Sequence, residues 1–456
     1  MKEDFKMKKR MKQLGALLLG ATLLLCGSGD KAASNSGKTE SGKTEIVLWH
    51  TWGTKNAAHV QTMADEFNES QEKYEVTLIN QVSAGMIRQK LAALTPEEYP
   101  AIFCGTPTAT CYYDSVSYVK PLQDFLDKDE DNWEDKIYSS VKSAYSDLEG
   151  NMIGSPFGVS SAGYFVNLDM LKQAGYTLED VTSFEKMVNI AIDVYKKGIA
   201  KYGISYSSTG VEVLNTMTLQ GIDIVDQNNG YDGDVTKSLI MEGDTYTALQ
   251  KHMKLVASSY EAGAAMAYAS DSATQSFYNG SIAFYGATNS WTHYIVDNGT
   301  DFEWTFVPDH GLDDGAKYKD SALTEGTGFY ITDSGNEEAM QGAYEFIKFV
   351  AQPKYQAMWC SELGYFPYAE EAAKEQVYVD WVNTNCPSIL TLTEKIKNAP
   401  ADLRGPYTKV PDDLLGIGIF LYSYISEDPK GDMKQYFEEI QMTVDETIEI
   451  QALRNK

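Results

Sequence analysis

Short apolar runs alternate with amphipathic stretches over residues 45–104. Glu45-Ile-Val-Leu-Trp49 reads as a buried-type strand. Val60, Met63, Ala64 and Phe67 then recur at helical spacing, so a helix follows. Val76-Thr-Leu-Ile79 reads as a second strand and residues 86–94 as a second helix. Pro100-Ala-Ile-Phe-Cys104 reads as a third strand, ending in a loop rich in Thr, Gly and Pro. Strands alternating with helices argue for parallel α/β layers. A long amphipathic helix over 180–197 and a strand over Tyr202-Gly-Ile-Ser-Tyr206 continue the rhythm. Helical spacing then takes over at 339–350, 353–359 and 433–453.

One apolar run stands apart. Residues 14–25 follow Lys2, Lys6, Lys8, Lys9, Arg10 and Lys12 and end on Cys26. The run is shorter than the ~20 residues a membrane-spanning helix needs, and it has the form of an export signal. It resembles a bacterial lipoprotein signal, in which the cysteine becomes the lipidated first residue. Leu25 departs from that pattern, which has a small residue there. Residues 27–44 (GSGDKAASNSGKTESGKT) lack apolar periodicity and read as a flexible linker. Their GKTESGKT matches the phosphate-loop pattern, but no strand leads in and no helix leads out, so the match is compositional.

The chain has 456 residues and a formal charge of −27. No basic block follows residue 26, so phosphate-driven nucleic-acid binding is excluded. The chain beyond the linker suffices for two domains. Cys104, Cys111, Cys360 and Cys386 are too scattered for a disulfide scaffold or a zinc site. A Cys104–Cys111 bridge would close a short loop, and buried free thiols are the alternative. Asp127, Asp129 and Asp131 begin like a calcium loop, but Asn132 and Tyr138 stand where Gly and Glu are required. They read as a solvated acidic turn. No metal or other cofactor is expected.

Several longer segments carry a resemblance. They are IVLWHTW (46–52), FNESQEKYEV (67–76), YPAIFCGTPTAT (99–110), GSPFGVSSAGYFVNLDMLKQAGY (154–176), SFYNGSIAFYGATNSW (276–291), ALTEGTGFYIT (322–332) and EFIKFVAQPKYQAMWCSELGYFPY (345–368). In order and spacing the chain resembles the extracytoplasmic solute-binding proteins of ATP-driven importers, in the carbohydrate-binding branch that includes the glycerol-phosphate binders. The resemblance implies an α/β, two-lobed periplasmic-binding-protein type II fold with a hinge and an interlobe ligand cleft. It places residues 45–155 and about 327–366 in one lobe, and 156–323 and about 369–456 in the other. Crossings are then expected near Ser155-Pro156, at 323–328 and at 366–370. The implied partners are a small carbohydrate and membrane permease subunits, with the protein a monomer held at the membrane by its lipid alone.

The candidate ligand residues lie past strand ends, where an open α/β sheet presents its ligands. His50, Thr51 and Trp52 follow the first strand; Trp49 is read as core and Trp52 as a stacking surface for a sugar. Thr106, Thr108, Tyr112 and Tyr113 follow the third. The resemblance adds Phe157 and Ser160, the loop Asn289-Ser290-Trp291, Glu325-Gly326, and Tyr365. Arg404 carries two readings, ligand contact and surface salt bridge. Glu325 stands where the glycerol-phosphate binders have glycine, and a carboxylate there repels phosphate and favours hydroxyls or a cation; with the family's arginine position altered, a neutral carbohydrate is the expected ligand.

A secreted glycan-cleaving enzyme is the competing class. It needs two carboxylates flanking the bond, and Glu325 is the one carboxylate assigned to the cleft. A glycerol phosphodiester binder and a sensory binding protein are the remaining alternatives.

Overall fold

The computed structural model describes residues 37–454. The expected export signal, Cys26 and residues 27–36 lie outside them. Among the described residues no helix is long and apolar enough to cross a membrane.

Two mixed sheets organise the chain. The first contains β1 (Thr44–His50), β2 (Tyr74–Asn80), β3 (Ile102–Gly105), β4 (Val119–Lys120), β5 (Ser155–Ser160) and β10 (Glu325–Thr332). Its order is β2-β1-β3-β10-β4, with β5 also paired to β10. The second contains β6 (Ala162–Asn167), β7 (Tyr202–Ser205), β8 (Ile282–Thr288) and β9 (Trp304–Pro308), in the order β7-β8-β6-β9. Ile46, Val47 and Leu48 are all buried, as an unbroken apolar run in a covered central strand requires. Helix Thr54–Ser70 turns Val60, Met63, Ala64 and Phe67 inward, as its spacing predicts. Side-chain caps fix other helix starts: Ser83 accepts from the Met86 N–H, Ser183 from Lys186 and Asn336 from Ala339.

The structure corrects several expectations. The layers are not wholly parallel. β1 pairs in parallel with β2 and β3, and β7 with β8, but β10 and β6 run antiparallel to their neighbours. β10 returns from the second lobe, so it enters the first sheet against the local direction. The first crossing is not at Ser155-Pro156. β5 pairs with β10 along its length, and the chain leaves at Ser161, between β5 and β6. Pro156 sits next to a register shift on a strand with β10 as its one partner, where a missing N–H is tolerated. The second passage occupies the segment between β9 and Glu325.

The third crossing also lies later than 366–370. Phe366 N–H bonds the Val159 carbonyl, Ala369 bridges Ile137, and helix Gln376–Asn385 packs on helix Pro353–Leu363 of the first lobe. The chain changes lobe near Ser388, whose hydroxyl accepts from the Phe306 N–H of β9.

The end of the expected linker is ordered. Lys38 bridges Thr44 and pairs with Glu338, so residues 37–43 form a turn leading into β1. The acidic turn is tied down rather than free in solvent: Lys348 pairs with Asp129 at 2.7 Å and with Asp131. Cys104, Cys111, Cys360 and Cys386 are free and buried, so Cys104 and Cys111 are unbridged.

Candidate functional site

A cleft lies between the lobes. The first lobe contributes Pro107, Thr108, Thr110, Cys111 and Ala144. The second contributes Val211, Leu214 and Asn215 from helix Val211–Gln220 and residues of the segment 403–415, and the passage into β10 adds Leu323, Thr324 and Glu325. The helix starts six residues past the end of β7, so its first turn points at the cleft. Its N-cap is Gly210 at φ +66°, where a Cβ would lie 2.4 Å from the Ile419 nitrogen.

Of the expected ligand residues, Thr108, Glu325 and Arg404 line this cleft. Glu325 is half-buried and begins β10. Burial, with the Asp309 carboxyl beside it, pushes its acid up to about 8, against a smaller opposing hydrogen bond from Asn215. The Asn215 amide also donates to Asp309 Oδ2 at 2.9 Å. Arg404 makes no salt bridge with a side chain among the described residues. Its guanidinium donates to the Ser143 and Ser146 carbonyls at 2.6 and 2.8 Å, capping the end of helix Ser139–Ala144. Its face covers the Tyr231 and Tyr407 rings, at 5.4 and 5.1 Å.

Arg404 therefore reaches from a second-lobe segment to the first lobe. Arg88 makes a second clasp, pairing with Asp412 at the start of helix Pro411–Glu427 and donating to the Tyr113 hydroxyl at 3.1 Å. Arg404→Ala is expected to cost about 1–3 kcal/mol, from its charged hydrogen bonds. It should also raise the ligand-free radius of gyration in small-angle scattering.

The remaining candidates fall elsewhere. Trp52 is 7% exposed and packs against His50, Phe157, Trp359 and Phe329, with ring centroids 5.2–6.0 Å apart. Trp49 is buried as well, as expected. His50 is buried, its Nδ1 accepts from the Trp52 N–H at 3.2 Å, and burial lowers its pKa. Phe157 belongs to the same aromatic cluster, 4.6 Å from Trp359, and Tyr365 stacks on Trp359 at 5.2 Å. Thr51 is half-buried just past β1.

Asn289 is corrected from ligand partner to brace. It is 0% exposed; its Oδ1 accepts from the Ser161 N–H at 2.7 Å, and its amide donates to the Gly364 carbonyl at 2.6 Å. Both amide atoms are thus engaged around the first crossing. Ser160 is buried at the end of β5, and Ser290 bonds Thr288 at 2.6 Å. Trp291 is 39% exposed and lies on Tyr294 at 4.7 Å. Thr106 bonds Thr108 at 3.0 Å near the cleft, whereas the Tyr112 hydroxyl turns to Tyr118 at 3.2 Å. Gly326 pairs with Val159 in the β5–β10 ladder.

Sequence reasoning missed Asn215, Asp309 and Glu212. The available signal was the position of Val211 and Asn215, four apart on one helix face just past a strand.

A sequence model described as bacterial extracellular solute-binding protein matches residues 62–385. The chain belongs to this family. Among the relatives of this solute-binding protein is the sn-glycerol-3-phosphate-binding periplasmic protein UgpB of Yersinia pseudotuberculosis serotype I (strain IP32953). It is 26% identical over 383 residues, spanning 80% of this chain and 82% of the relative.

Solved structures share the fold at lower identity. UgpB from Mycobacterium tuberculosis in complex with glycerophosphocholine has a TM-score of 0.71 at 17% identity, covering 90% of this chain and 100% of the other. An ABC substrate-binding protein from Listeria monocytogenes in complex with cycloalternan has a TM-score of 0.71 at 15% identity, covering 89% and 99%. The sugar-binding protein MalE from Xanthomonas citri has a TM-score of 0.70 at 15% identity, covering 90% and 98%. The architecture is thus the two-lobed one that the resemblance implies.

Proposed function

We propose that this solute-binding protein captures a neutral carbohydrate, a mono- or oligosaccharide, in the interlobe cleft and hands it to the membrane subunits of an ABC importer. It does so as a monomer without catalysing a reaction, exported and anchored through a lipid on Cys26. The observation that carries the ligand class is the balance of charge in the cleft. Among the described residues lining it, Arg404 is the one cation, and its Nη1 donates to the Ser143 and Ser146 carbonyls while its buried Nε has no partner. Phosphate is commonly held by a bidentate arginine, and Arg404 Nη1 is already committed to two carbonyls. Thr108, Asn215 and the Glu325 carboxyl instead offer hydrogen bonds suited to hydroxyls.

A second reading has its own support. The UgpB relatives bind sn-glycerol-3-phosphate by name, and one solved neighbour holds glycerophosphocholine. A thermal-shift panel of mono- and oligosaccharides, polyols, glycerol 3-phosphate and glycerophosphocholine separates the two. A ligand at 100 times its Kd adds about 2.7 kcal/mol to the folded state. Stabilisation by a phosphate compound, with none by any sugar, overturns the carbohydrate reading.

Trp291 does not line the cleft described above, but its ring is part-exposed and not locked in the core, and in this reading it reaches the ligand as an aromatic anchor. Trp291→Ala is expected to weaken sugar binding at least tenfold, about 1.4 kcal/mol, by titration calorimetry. Ligand-free stability should change little.

A further inference from the structure

The connection between helix Val211–Gln220 and helix Gly243–Glu261 makes a turn of the wrong hand. Gln227, Asn228 and Asn229 are all left-handed, at φ +57°, +52° and +57°. Among the described residues this is the one run of left-handed non-glycine positions. Each such residue crowds its Cβ against a carbonyl oxygen, so a run persists only where its surroundings impose it. Here they do. Asn229 is buried, and its Oδ1 accepts from the Ile224 and Val225 N–H groups at 2.8 and 3.2 Å. Asp226 fixes the start of the turn, accepting from the Thr236 and Lys237 N–H groups at 2.8 and 3.3 Å.

The turn faces the segment that walls the cleft. The Tyr407 N–H donates to the Asn229 carbonyl at 2.9 Å. Gly230 follows at φ +85°, and a Cβ on it would lie 2.0 Å from the Tyr407 carbonyl oxygen. The Tyr231 hydroxyl then donates to the Arg404 and Gly405 carbonyls, at 3.0 and 2.8 Å. Three consecutive residues thus grip 404–407 from behind, and residues 226–231 do not themselves line the cleft. The hand of the turn makes the grip, because reversing φ and ψ swings the Asn229 carbonyl and the Tyr231 ring away from the segment. Residues 398–410 contain no helix or strand, so their backbone depends on such outside partners.

We propose that Asn229 is a positioning residue of the binding site: by imposing the left-handed turn it holds Arg404–Tyr407 on the cleft wall, and so sets ligand affinity without touching the ligand. This rests on the interlobe cleft as the site, not on which ligand fills it. A wall in place only part of the time lowers affinity by that fraction. The strained turn therefore buys a wall already in its binding position. The first test needs no ligand. In Asn229→Ala the Tyr407 amide should exchange its hydrogen faster, while the β8 amides stay protected. Asn229→Asp keeps an acceptor and tolerates left-handed backbone, so it should exchange like wild type. Tyr231→Phe removes one hydroxyl and keeps the ring, and should speed exchange at Tyr407 even if Asn229→Ala fails to fold. Unchanged exchange at Tyr407 in the folded variants overturns the proposal, whatever binds.

The second test is calorimetry with the panel compound that stabilises wild type most, a sugar or glycerophosphocholine. Asn229→Ala should bind it about fivefold more weakly, as a wall in place about a fifth of the time requires. Tyr231→Phe should move in the same direction, and Asn229→Asp should bind as wild type does. An Asn229 that merely supports the lobe would lower the melting temperature and leave the affinity of the folded protein alone. That result overturns the proposal and leaves the carbohydrate reading standing. If wild type binds glycerophosphocholine and no sugar, and Asn229→Ala weakens that binding, the carbohydrate reading fails and the positioning role of Asn229 stands.

Discussion

Trp52→Ala is expected to cost the ligand-free protein about 3–5 kcal/mol, the range for truncating a large buried aromatic. The ring is enclosed by His50, Phe157, Phe329 and Trp359, and Phe157 in turn lies 4.5 Å from Phe329. The cluster ties the end of β1 to β5, β10 and helix Pro353–Leu363. A cavity there loses contacts to four rings at once, and rings in two rigid strands cannot collapse into it. Urea unfolding followed by circular dichroism gives the number. If stability is unchanged and sugar affinity alone drops, Trp52 is the stacking platform its sequence position suggested.

Gly326→Ala should be comparably severe, at about 2–6 kcal/mol. Gly326 sits at φ +105°, and a Cβ there would lie 2.0 Å from the Gly158 carbonyl oxygen and 3.1 Å from the Ser160 nitrogen. The obstacle is backbone in the paired strand, so no rotamer change relieves it. Left-handed strain and overpacking each cost about 1–3 kcal/mol. The β5–β10 pairing must open, and amide exchange of Val159 and Ser160 should speed up ahead of the rest of the first sheet. Uniform exchange across that sheet would mean the strand shifts bodily instead. Loss at this position would also move Glu325, one residue away on the cleft wall.

Much of the fold could be read from periodicity, because strands and helices buried on a constant face leave a regular pattern. β1, the helix after it and helix Glu337–Val350 were evident in this way. The crossings were less so. Ser155-Pro156 looks like a chain boundary, but a proline on a strand with one partner gives the same local signal. Helix Gln376–Asn385 belongs to the first lobe through packing that no local pattern reveals.

The cleft was legible where one residue broke a family pattern, as Glu325 does. It was not legible where function depends on which of two chemically equal groups faces inward. Asn289 and Asn215 carry the same amide. One is spent on the Ser161 and Gly364 backbone, while the other stands on the cleft wall beside two acids. Trp52 and Trp291 divide in the same way, one enclosed and one part-exposed.

The four buried thiols give the protein a practical property. Burial raises their pKa, that of Cys111 to about 12, so they stay in the unreactive protonated form. A single cysteine introduced in place of part-exposed Tyr294, beside Trp291, would be the readily labelled thiol among the described residues. An environment-sensitive dye attached there would turn ligand capture into a change of colour or brightness. The chain is already arranged as the body of a reagentless optical biosensor.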